Sequence, residues 1–86
     1  MCFLGDGKVL AASDNILNLG SGEYVSYSWN APQGLPNGAQ KSGFVSVTEY
    51  KNSGNKKRII YRPTQGSKTY WNLCWDNAWT GWAEMI

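Results

Sequence analysis

Polar and apolar residues alternate over short stretches of this chain, and runs of Gly, Asn and Pro separate them. In "EYVSYSW", Glu23, Val25, Tyr27 and Trp29 share one side, and Tyr24, Ser26 and Ser28 the other. A period of two marks a strand. "FVSVTEY" repeats the pattern, with Val45 and Val47 on one face and Phe44, Thr48 and Tyr50 on or near the other. "KNSGN" turns the chain back into "KKRIIYR", so residues 43 to 62 read as a β-hairpin. Ahead of these, "GKVLAAS" predicts a short strand from Lys8 to Ala12. Ser13 or Asp14 then caps a single helical turn that stops at Gly20. "NAPQGLPNGAQKSG" holds Pro32, Pro36 and three glycines, which makes it an irregular surface loop. A loop of that length in a small domain is functional or spaces two edges.

The C-terminal stretch "YWNLCWDNAWTGWAEMI" carries Trp71, Trp75, Trp79 and Trp82. Their spacing would place all four on one face of a helix. Asn72, Asp76, Asn77, Thr80 and Gly81 are weak helix formers and oppose that reading. The alternative is a strand over 68–75, a turn at Asp76-Asn77-Ala78 and a strand over 79–85. Asp-Asn supplies the turn chemistry, so the hairpin is expected. Trp71, Leu73 and Trp75 then share one face, and Tyr70, Asn72 and Cys74 the other.

Eighty-six residues allow one domain, spanning 1–86, with 1–7 as a linker. A domain this small buries only about 60–65% of its unfolded surface, so partner chains would help it. Ten glycines, five tryptophans and five tyrosines fit short strands joined by tight turns. Histidine is absent, and Cys2 and Cys74 cannot build a zinc site by themselves. They read as free buried thiols. "MCFLGDGKVL" is broken too early for a secretory signal, and no run approaches the ~20 apolar residues of a membrane span. A net charge of +2 is too small to argue for nucleic acid, and Lys56-Lys57-Arg58 reads as a solvated hairpin end.

No catalytic constellation stands out. There is no Ser–His or Cys–His pair, no Gly-x-Ser-x-Gly, and "GDGK" lacks the spacing of a phosphate loop. Asp76 and Glu84 are the carboxylates that a terminal hairpin brings closest, but each has an ordinary turn or surface role. Neither an enzyme nor a cofactor is expected. The aromatics admit two readings. They fill a core or a subunit interface, or some are exposed and stack on sugar faces beside Asn and Gln side chains. A membrane-interface belt lacks an apolar segment to flank.

Taken in order, "SDNILNLGSGEYVSY", "NAP", the glycine before "FVSV" and "WDNAWTGWAEMI" form a recognisable series. The residues are Asp14 and Asn15, Gly22 with Tyr24, Asn30-Ala31-Pro32, Gly43 with Val45 and Val47, and Trp79 with Trp82. This series resembles the pyocin-knob-like domains of bacteriophage tail fibres and related phage tail-like bacteriocins. The resemblance runs from about residue 8 to 86. The chain departs from the pattern where the family carries an arginine, which is Asn72 here, and in its extra rings Trp71 and Trp75.

The resemblance implies an all-β fold, a small antiparallel sheet or sandwich with a short N-terminal helical turn, assembled as a homotrimer. It implies a place on the virion, at the distal end of a tail fibre made in the bacterial host cytoplasm and joined to the remainder of that fibre. The expected ligand is a bacterial surface polysaccharide such as wall teichoic acid, with no membrane insertion. Residue type and the departures from the family select Trp29, Tyr70, Trp71, Asn72 and Trp75, with Gln33, Asn37 and Gln40 of the loop, as its contacts. Trp79 and Trp82 are assigned to structure. The alternative is a trimerising module with no ligand of its own, and a third reading is a glycan-degrading enzyme.

Overall fold

A computed structural model describes residues 7–51 and 53–85. Their strands are β1 (Lys8–Val9), β2 (Gly22–Ser26), β3 (Gly43–Tyr50), β4 (Ser53–Pro63), β5 (Thr69–Trp75), β6 (Ala78–Trp79) and β7 (Ala83–Met85). Two 3-10 turns, η1 (Ile16–Asn18) and η2 (Ser28–Asn30), complete the elements, and the described residues contain no α-helix. All seven strands join one sheet in the order β1-β2-β3-β4-β5-β6, with β7 also paired to β5. Only β1 and β2 run parallel. The sandwich alternative is therefore not realised.

Alternation decides which side chains are packed. Val45 and Val47 of β3, Ile59 and Tyr61 of β4 and Tyr70 of β5 are buried on one face with Leu10 and Ile16. Phe44 and Tyr50 point the other way and are exposed. Irregular chain takes the place of a second sheet over the packed face. Leu17, Leu19, Leu35 and Ala39 pack there beside Trp79 and Trp82. The loop is pinned by Ile16 N–H donating to Gln33 O at 3.0 Å and Gln33 N–H donating to Asp14 O at 2.8 Å. Trp82 Nε1 donates to Gly34 O at 2.9 Å. Trp82 thus ties the loop to the C-terminal segment, and Trp79 packs against the core.

Several boundaries differ from expectation. The first strand stops at Val9, because the Ala11 N–H donates to the Asp14 carboxylate at 2.8 Å and starts a turn. Asp14 is then not the helix cap. Asn15 caps η1 by accepting from Leu17 N–H, and the turn ends at Leu19. β2 ends at Ser26, so Tyr27 and Trp29 leave the strand face. The terminal hairpin forms, with Asp76 and Asn77 both left-handed at φ 54° and 66°. That geometry matches the right-handed twist of the flanking strands. Gly81, at φ 96°, interrupts the return strand between β6 and β7. In the β3–β4 turn, Asn52 lies outside the described residues, as does Cys2. Cys74 is a buried free thiol.

The basic cluster is not uniformly solvated. Alternation turns Lys57 inward, where it is 8% exposed. Its ammonium donates to Leu19 O at 2.8 Å and stands 5.9 Å from the Trp79 ring centroid. Lys56 pairs with Asp76, while Arg58 stays exposed. Gly43 has its own reason. A Cβ there would sit 2.8 Å from the Tyr61 ring and 2.7 Å from Arg62 O, too close for any side chain.

Candidate functional site

The eight residues selected from the sequence fall in separate places. Trp29 is the most exposed large hydrophobic side chain among the described residues, at 79%. It does not hang free. Its ring stacks on Tyr27 with centroids 4.7 Å apart and planes 15° from parallel. The backbone beneath is fixed by Ser28 N–H donating to Ser42 Oγ at 3.0 Å and Asn30 N–H donating to Tyr27 O at 3.1 Å. Asn30 Oδ1 accepts from the Ala12 amide, and Gln33 Nε2 donates to the Ala12 carbonyl. Both side chains therefore clasp the same residue, which brings Gln33 beside η2. Gln33 and Asn37 line a loop cavity of about 450 Å³ with Pro32, Pro36 and Lys41. Gln33 therefore connects the exposed Trp29–Tyr27 stack to the loop cavity that Asn37 also lines.

Gln40 and Tyr70 line a different cavity of about 380 Å³ beside the β4–β5 loop. Gln40 Oε1 is taken up by the Gln65 amide at 3.1 Å. Tyr70 belongs to the core. Asn72 is 3% exposed, and its Oδ1 accepts from Gly81 N–H at 3.1 Å. Burial removes Asn72 from any ligand surface; it secures the break between β6 and β7. Trp71 is half-buried on the open face, opposite Ile60. Trp75 is exposed at the far end of that face, with its ring 5.4 Å from that of Tyr50.

Asp76 and Glu84 are not neighbours. Asp76 pairs with Lys56 and Glu84 with Lys68. Glu84 lies opposite Tyr70 in the register, six positions from Asp76. That is roughly 20 Å along a strand, beyond the ~5–9.5 Å of a two-carboxylate glycosidase.

The sequence reading missed Tyr27, Tyr50, Lys51 and Arg58. Tyr27 escaped a period-two argument, because its stack on Trp29 forms across the η2 turn and not along a strand. Tyr50 and Trp75 follow from the hairpin registers, which set both on the open face at the same end of the sheet.

No family model, curated protein or solved structure matches this chain.

The open face has a further character. Val9, Phe44 and Met85 are exposed there, beside the half-buried Val25, Ile60 and Trp71. Antiparallel sheets commonly present polar side chains to water on their free face. Here that face sets these apolar side chains among Glu23, Ser46, Arg58 and Arg62.

Proposed function

We propose that this chain is the distal domain of a phage tail fibre, assembled as a homotrimer, that holds a bacterial cell-surface glycan during adsorption. The observation that carries the binding reading is the Trp29 platform. A tryptophan left 79% exposed yet held by a stacked tyrosine keeps a flat apolar surface ready for a sugar face. Two χ angles already fixed by stacking reduce the ordering cost on binding. Gln33, held next to η2, and Asn37 farther along the same loop cavity provide amide donors and acceptors for hydroxyl groups. The open face supplies the contact between copies, and three copies add weak contacts into avidity.

Trp29→Ala tests this reading. The ring is in solvent, so the variant retains its melting temperature while labelling of receptive cells by the fluorescent domain falls at least ~10-fold, within the range of an avidity loss. Unchanged labelling would overturn the platform.

A second reading has its own observation. The exposed Val9, Phe44 and Met85 of the open face fit a module whose work is trimerisation alone. On that reading no wall glycan competes for the domain, and only open-face substitutions have consequences.

A further inference from the structure

At the end of the sheet opposite Trp29 lies a second constellation. Tyr50 and Trp75, exposed by 50% and 48%, meet at 51° between planes. With Leu73 they form the apolar wall of a groove of about 290 Å³. Thr48, Lys51 and Arg58 complete its rim. The Lys51 ammonium stands 5.4 Å from the Tyr50 centroid, and Arg58 donates to Thr48 Oγ1 at 3.4 Å. Among the described residues, the ion pairs are Lys56 with Asp76 and Lys68 with Glu84, so neither Lys51 nor Arg58 is ion-paired. Glu49 also lines the groove and sets one negative charge against these two cations, its carboxylate turned to accept from the Ser21 hydroxyl at 3.2 Å and the Ser21 amide at 3.4 Å.

We propose that this groove is a second ligand site, which takes a single sugar unit bearing a negative group, a phosphate ester or a carboxylate. Each part of the groove meets one part of such a ligand. The Tyr50 and Trp75 rings cover the apolar face of the sugar. Lys51 and Arg58 meet its charge, Arg58 with a fork that matches either oxyanion. The volume is at the lower limit of the roughly 300–1,000 Å³ of small-molecule sites, which limits occupancy to about one ring. A single-stranded nucleic acid requires successive stacking platforms along a basic track. Two tilted rings and a local knot of cations on a chain of net charge +2 provide neither.

This site is independent of the Trp29 platform. β3 runs from Gly43, opposite the end of β2, to Tyr50. Seven steps of about 3.3 Å put the two sites roughly 23 Å apart along the sheet.

The test is a titration of the full ¹⁵N-labelled chain, read at the tryptophan indole N–H signals, with glucose 6-phosphate, glucuronate, glucose and oligothymidylate. The expected result is that at least one of the two anionic sugars shifts the Trp75 signal and binds ~10-fold more tightly than glucose, as charge-assisted contacts imply. Raising NaCl from roughly 20 to 300 mM weakens the anion and leaves glucose unchanged. The exposed pair Lys51→Gln with Arg58→Gln reduces the anion's advantage below about twofold, with the rest of the spectrum in place to show the fold intact. Response to one anion alone supports the site and identifies the group it takes. Equal binding of glucose and the anions at Trp75 overturns the proposal. So does an advantage that survives the double substitution, or an oligothymidylate that displaces the sugars. Trp29 reports separately, so a failure here leaves the platform reading intact.

Discussion

Tyr61→Phe removes one oxygen from the middle of the fold. Tyr61 is fully buried, and its hydroxyl donates to the Gln40 carbonyl, tying the long loop to β4. Phenylalanine fills nearly the same volume, so packing is conserved and the loss is polar. The Gln40 carbonyl is left without that donor in a partly buried position, which costs about 1–2 kcal/mol. For a domain of this size that is a fall of roughly 4–16 °C in Tm. The substitution has a second signature in alkali. Burial raises the Tyr61 pKa above its ordinary value, repulsion from Tyr70 adds to the rise, and the neighbouring Ser26 hydroxyl opposes it. The unfolded chain then loses the phenolic proton at lower pH than the folded chain does. Stability from this group is complete below pH ~10 and declines as pH rises from there through the folded pKa. Urea unfolding of both chains at equal protein concentration, at pH 7 and across pH 9–11.5, reads both effects. Tyr61→Phe should be less stable at pH 7 and should lose less on going to high pH. A variant as stable as the parent at pH 7, with the same alkaline decline, would refute the reasoning.

Two other substitutions probe the remaining parts of the account. Asn72→Ala leaves the Gly81 amide without its acceptor and opens space under β5, so urea unfolding should show a loss of about 1–3 kcal/mol. Adsorption per folded molecule should not change, whereas a stable variant that no longer adsorbs would return Asn72 to the ligand surface. Phe44→Lys sets a second cation in the open face, opposite Arg62 in the register, without disturbing the core, because the ring is exposed in the single chain. Sedimentation should show trimers giving way to folded monomers, since an uncompensated charge buried in an interface costs several kcal/mol; an unchanged trimer would move the copy–copy contact elsewhere.

Much of the fold was legible because strands state their faces in the sequence. The alternation in "FVSVTEY" and the Asp76-Asn77 turn fixed both hairpins, and it sorted Val45 and Val47 from Phe44 and Tyr50. Alternation does not say what covers a face, which is why a sandwich and a single sheet padded by loop were indistinguishable. Nor does it say where a strand ends. β2 stops at Ser26, and the 3-10 turn that follows swings Trp29 out of the sheet, beyond any period-two argument. Lys57 was misread because a run of three cations was taken as a block, although the same alternation points its middle member inward. The candidate site fared less well for a physical reason. Residue type marks what a side chain can bind, but Asn72 and Gln40 spend those capacities on Gly81 and on the β4–β5 loop. Only tertiary contacts reveal that expenditure.

We propose above all that this domain adsorbs to a bacterial surface by holding a glycan. The most direct measurement is binding of the purified, fluorescently labelled domain to a panel of bacterial strains, with glycans extracted from the walls of those strains as competitors. Some strains should be labelled, and one class of glycan should abolish the labelling. Folded trimer that labels no strain, or labelling that no glycan displaces, would contradict it.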